Sequence, residues 1–183
     1  MKGHWLFRAA GGLALVAAVI IVGCSSKSSQ ELEGMVGTDT ITTIRNSEEV
    51  ETFRIESKSY FPEHRDPEGE RINGFLVIRK GQTQRAEFGK RLRAILLRDS
   101  SYKESGAKCF EPGVVYRFNH DNKSVDVLIC FMCDNVDIQP NSKHQAGIDV
   151  QLAGLTKEAR NELLKLTKEA FSDDPEIQAI EDR

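Results

Sequence analysis

The chain has 183 residues, 25 Lys and Arg against 28 Asp and Glu, and a formal net charge of −3. That length suits one domain with a short appendage, and 39% hydrophobic with 29% charged residues excludes a disordered or low-complexity chain. The slight acidity and the lack of any basic block give no electrostatic footprint for DNA or RNA.

The N-terminus reads MKGHWLFRAAGGLALVAAVIIVGC. Lys2 and Arg8 make a basic start, Ala9 to Val22 carries no charge, and small Gly23 precedes Cys24. This is the pattern of a secretory leader over residues 1–23. The apolar run is short for a spanning helix, which needs about 20 residues, and Gly11 and Gly12 weaken it further. Ile21-Val22-Gly23-Cys24 resembles the lipobox of bacterial lipoproteins. The resemblance implies a diacylglyceryl group on the Cys24 thiol, cleavage before Cys24 and acylation of the new amino group. Two or more chains make a stable anchor, at about 0.8 kcal/mol per buried CH₂. It also implies residence in the bacterial cell envelope, attached to a membrane and facing the periplasm or the cell exterior. Residues 24–34, with the SSKSS run at Ser25 to Ser29, read as a flexible tether. Cleavage would remove Lys2, Arg8 and the only Trp, Trp5, leaving 23 basic against 28 acidic residues.

Residues 35–183 read as a single α+β domain, long enough for a core without staples. Thr38 to Arg45 is β-branched and predicts a short strand. Asn46 or Ser47 could cap a helical turn over Glu48 to Val50. Phe53 to Ser57 alternates and predicts a half-buried strand. Tyr60 to Arg71, with two Pro and a Gly, predicts a surface loop, and Asn73 to Arg79 another strand. Thr83 to Arg98 places Phe88, Leu92, Ile95 and Leu96 on one helical stripe. Leu155 to Phe171 does the same with Ala159, Leu163, Leu166 and Ala170, flanked by Leu164 and Phe171. Asp173-Asp174-Pro175-Glu176 predicts the start of a last short helix.

Between the two helices, Gly113 to Asn119 and Ser124 to Cys133 predict strands around the turn residues His120 to Lys123. Pairing Asn119 with Ser124 sets Phe118 opposite Val125, Tyr116 opposite Val127 and Val114 opposite Ile129 on one face. Arg117 then faces Asp126 and Val115 faces Leu128 on the other. The far end of the hairpin should be covered on both sides. The expected fold is an antiparallel or mixed sheet with this hairpin at its centre, packed by two amphipathic helices.

Cys109, Cys130 and Cys133 are three thiols in an exported domain, so at least one has no intrachain partner. On a straight strand the Cα atoms of Cys130 and Cys133 would lie about 10 Å apart at ~3.3 Å per residue, beyond disulfide reach of about 7 Å. That pair therefore needs a bulge or turn. Hairpin register sets Cys109 opposite Asp134, which favours Cys133 by distance and Cys130 by shared face. With Pro112 breaking the ladder, the expectation is Cys109–Cys130, with Cys133 a buried thiol. A zinc or copper site on Cys109, Cys130 and Cys133, with His120 or His144 as a fourth ligand, and thiol redox chemistry are the alternatives. His64 stands alone in a charged loop, and no metalloprotease, nucleophile-elbow, P-loop or dinucleotide motif occurs. Asp126 and Asp134 read as a cross-strand partner and a strand-end residue, not as an acid/base pair.

Lys108-Cys109-x-x-Pro112 followed by Cys130-Phe131-x-Cys133 resembles a loosely defined group of small, often exported bacterial proteins without an assigned activity. That resemblance implies a fold unit and carries no catalytic role. The leading expectation is a non-catalytic lipoprotein whose domain binds an envelope protein partner or supports the envelope, with no cofactor. The rival is a metal or thiol-redox module built on the three cysteines.

Overall fold

A computed structural model of the chain describes residues 30–60, 68–105, 109–140 and 153–183. Residues 1–23 read as a leader, Cys24, His64 and His144 lie outside the described residues. The central hairpin pairs β6 (Val114–His120) with β7 (Lys123–Cys130) in the expected register, Asn119 opposite Ser124 and Tyr116 opposite Val127. Its turn is shorter than expected. His120 already pairs with Lys123, leaving Asp121 (φ 47°) and Asn122 (φ 60°) as a two-residue turn. Both are residue types that tolerate the left-handed region such a turn demands.

β1 (Glu49–Glu56) pairs with β6, and β8 (Asn135–Pro140) with β7. β2 (Arg71–Ile72) and β3 (Phe75–Lys80) extend the sheet beyond β1. β9 (Ala153–Leu155) and β5 (Tyr102–Lys103) extend it beyond β8. The resulting order is β2-β3-β1-β6-β7-β8-β9-β5, with β4 (Gln84–Arg85) also paired to β1. Every described pairing is antiparallel. Asn73 (φ 50°) and Gly74 (φ 88°) form a tight turn between β2 and β3, so this strand begins at Phe75 and not at Asn73.

The helices are α1 (Gln30–Val36), α2 (Thr38–Asn46), α3 (Ala86–Leu96), α4 (Lys157–Ala170) and α5 (Pro175–Gln178). Two expectations near the N-terminus fail. Thr38 to Arg45 is α2 and not a strand, because Thr40, Ile41, Thr43 and Ile44 fall on one helical face and are buried. The β-branched residues cost a few tenths of a kcal/mol each in helix propensity. Burying Ile41 and Ile44 returns roughly 1.5–3 kcal/mol apiece. Ser47 ends this helix and does not start another. Its N–H donates to the Thr43 carbonyl, its hydroxyl donates to the Glu49 carbonyl at 2.6 Å, and β1 follows at once. Helix α1 also begins inside the stretch read as tether, with Leu32 buried.

The larger core lies between the helices and one sheet face. Phe88, Leu92, Ile95 and Leu96 of α3 and Ala159, Leu163, Leu164 and Leu166 of α4 pack on Val114, Tyr116, Phe118, Val125, Val127 and Ile129. Thr156 caps α4 by accepting from the Ala159 N–H at 3.4 Å, and Asp174 caps α5 by accepting from Glu176 and Ile177. The opposite face carries a second, smaller cluster in which Val115 and Leu128 meet Phe53, Ile55, Ile72 and Phe75, with Phe110 against it. The hairpin's far end is thus covered on both sides. Among the described residues no helix is long and apolar enough to cross a membrane.

Candidate functional site

Strand β7 does not run through to Cys133. It ends at Cys130, which pairs with Asn135 of β8, and Phe131 to Asp134 form the turn between them. Asp134 at φ 52° reverses the chain. The turn brings the Cα atoms of Cys130 and Cys133 to 5.6 Å, and the two are joined by a disulfide. The Cys133 N–H also donates to Cys130 Sγ at 3.2 Å. Cys130 is buried and Cys133 partly exposed.

This corrects the expected Cys109–Cys130 bridge and the buried third thiol. Cys109 is a free, exposed cysteine. The ladder with β7 reaches Gly113, whose N–H donates to the Ile129 carbonyl at 3.1 Å. Beyond it Pro112 has no N–H to give, its carbonyl accepts from Ser57 Oγ at 2.7 Å, and Phe110 turns to the smaller core. The chain carrying Cys109 has therefore left the register that would set it beside Cys130. His120 is not near the cysteines either. It pairs with Lys123 at the hairpin tip, seven residues along β7 from Cys130, or ~23 Å at strand rise. Of the residues named for a zinc or copper site, Cys130 and Cys133 are bonded to each other, His120 lies at the hairpin tip, and no metal-binding group of His, Cys, Asp and Glu occurs among the described residues.

Arg160, in the first turn of α4, holds the cysteine turn. Its side chain is 2% exposed. Nε donates to Asp134 Oδ1 at 3.0 Å, and Nε and Nη2 donate to the Phe131 carbonyl at 3.4 and 3.3 Å. Nη1 donates to Asn161 Oδ1 and to the Glu181 carbonyl near the C-terminus. Arg183 adds longer contacts, to the Met132 carbonyl at 3.4 Å and Asp134 Oδ2 at 3.5 Å. The Leu155 N–H closes the frame on the Asp134 carbonyl at 2.6 Å. Met132, at the tip, is 76% exposed. Helical periodicity sets Arg160 beside the apolar stripe, and the turn's Asp134 carboxylate and Phe131 carbonyl explain why an arginine is buried there.

Two buried polar groups on the smaller-core side of the sheet had no signal in the sequence. Asn135 accepts from Ser105 Oγ at 3.0 Å, but its buried Nδ2 has no hydrogen-bond partner among the described residues. Asp137, opposite Leu128, accepts from Gln139 Nε2 at 2.6 Å, and burial pushes its carboxyl up to about 6. Asp126, by contrast, is the expected cross-strand partner of Arg117, bonded to its Nε at 2.7 Å and its Nη2 at 3.0 Å.

A shallow cleft of about 260 Å³ lies between β3 and α5. Its cations are already paired. Arg54 bonds Asp174 at 3.0 Å and Glu176 at 2.8 Å, and Arg79 bonds Asp173 at 3.0 Å. Burial works to raise the Asp174 carboxyl, but the Ile177 N–H and Arg54 outweigh it and hold the group below its ordinary range. The cysteine turn is the more chemically distinctive site. Comparison of the chain with family models, with curated proteins and with solved structures finds no match.

Proposed function

We propose that this chain is an exported bacterial lipoprotein, anchored through acylated Cys24, whose α+β domain binds an envelope partner or supports the envelope and does not turn over a substrate. The observation that carries the reading is the leader ending in Ile21-Val22-Gly23-Cys24. Two features of the domain agree with it. A disulfide suits an oxidising compartment outside the cytosol, and Cys130–Cys133 is one. Leu32 is the first buried residue among those described, eight positions after Cys24. Eight residues span at most ~28 Å at full extension, so the anchor would hold the domain close to the membrane surface.

The test is Cys24→Ala expressed in a bacterial host with a radiolabelled fatty acid. The parent should take up label and fractionate with membranes, while the variant should accumulate as an unlabelled, uncleaved precursor. A variant that is processed and released like the parent would overturn the reading.

A further inference from the structure

Beyond anchoring and binding, we infer that Cys130–Cys133 is an exchangeable disulfide, opened by an external thiolate that attacks Cys133 and releases Cys130. Access selects the sulfur that is attacked. Cys130 is wholly buried, while Cys133 is partly exposed beside Met132, the most exposed large apolar side chain described. The surroundings select the sulfur that leaves. The Cys133 N–H already points at Cys130 Sγ from 3.2 Å. Asn135 is the direct cross-strand partner of Cys130, and its amide nitrogen is a buried donor that finds no acceptor among the described residues. Directly opposed side chains have Cβ atoms about 4.5–5.5 Å apart. A buried orphan donor is costly beside a neutral disulfide and becomes useful beside a thiolate. The turn is also held by contacts other than the S–S bond. Arg160 binds the Phe131 carbonyl and Asp134, and the Leu155 N–H binds the Asp134 carbonyl. The two sulfurs therefore stay close after the bond opens, and closure remains fast.

The chemistry balances with a thiol as reductant. A thiolate RS⁻ bonds to Cys133 Sγ, the Cys130–Cys133 bond breaks, and its electron pair leaves on Cys130 as a thiolate. A second RS⁻ attacks the R sulfur of the mixed disulfide, forming RSSR and releasing Cys133 as a thiolate. One proton taken up from solvent by Cys133 completes a two-electron reduction of the pair, with Cys130 left as the thiolate that the Cys133 N–H and Asn135 face. Oxidation by RSSR is the reverse.

The probe is glutathione, applied to the folded full-length chain at a series of reduced-to-oxidised ratios. Each sample is quenched in acid, alkylated and mapped peptide by peptide, so that Cys24 and Cys109 are counted separately. The expected result is reversible reduction of Cys130 and Cys133 with an unchanged circular dichroism spectrum. Glutathione trapped during reduction should be found on Cys133. Cys130→Ser should leave a Cys133 that takes up glutathione from its disulfide, while Cys133→Ser should leave a Cys130 that reacts only in denaturant. Asn135→Ala, which removes a hydrogen bond to a charged group, should shift the equilibrium toward the disulfide by roughly tenfold or more. A pair that opens only as the domain unfolds would overturn the proposal, as would glutathione on Cys130 or an Asn135→Ala equilibrium equal to the parent's. Two native thiols holding stoichiometric zinc would overturn it as well. If a cysteine variant fails to fold, the trapped adduct on the parent still decides which sulfur is attacked.

Discussion

Arg160 and Asp137 are both charged side chains taken out of water, and they differ in what meets them. Arg160 finds Asp134 and two backbone carbonyls. Breaking such a pair from one side leaves the other groups buried without a partner. Arg160→Met should therefore cost about 3 kcal/mol in urea unfolding, and a loss under about 0.5 kcal/mol would mean that the turn holds without it. Asp137 finds Gln139, the Ile138 N–H and, among the described residues, no bonded cation, and burial raises its carboxyl from 3.8 to about 6. The raised group binds its proton more tightly when folded than when unfolded. Its protonated form leaves stability intact below about pH 4, and stability falls as pH rises toward 6. About two pH units at 1.36 kcal/mol each amount to about 3 kcal/mol. Asp137→Asn should match the parent near pH 4 and exceed it by up to about 3 kcal/mol at pH 7. Urea midpoints of the two proteins measured across that range check it, and parallel pH curves would rule it out.

At the scale of the element, α3 and α4 are fixed by their apolar stripes. Leu92 and Leu163 are fully buried between helix and sheet. Either residue changed to Ala should cost roughly 2–5 kcal/mol by lost transfer energy and cavity formation, read from denaturant midpoints at constant slope. Tyr116 supplies a polar pin between the layers, its hydroxyl 2.6 Å from Thr167 Oγ1, which also donates to the Leu163 carbonyl. Burial pushes the Tyr116 phenol up, so it stays neutral. Hairpin register was legible because period-two patterning fixes which side chains share a face. Helix α2 was misread because Thr and Ile suit both strand and helix when burial decides.

For the whole molecule, the disulfide is local in sequence. A loop of about four residues removes only ~2 kcal/mol of chain entropy, against roughly 3 for the loop of about 20 residues that a Cys109–Cys130 bridge would have closed. The fold therefore rests on its two cores more than on this bond. The proposed leader has a spectroscopic signature. Trp5 is the only Trp, so processed protein extracted from membranes should emit from tyrosine alone. Trp emission from that material would show that the leader is retained.

The sequence by itself determined the α+β class, the hairpin register, the stripes of α3 and α4 and the capped start of α5. Each depends on a local repeat or on residues a few positions apart. The lipobox resemblance at Ile21 to Cys24 is local in the same way, which is why the proposed anchor rests on sequence. Tertiary structure decided the partner of Cys130, the burial of Arg160 and the surroundings of Asn135 and Asp137. Cys130 met Cys133 because Phe131 to Asp134 turn where an extended strand was expected. Arg160 was drawn inward by the Asp134 carboxylate and the Phe131 carbonyl of that same turn, 26 and 29 residues away. Such choices depend on which unpaired polar groups meet across the fold, and chain spacing does not encode that.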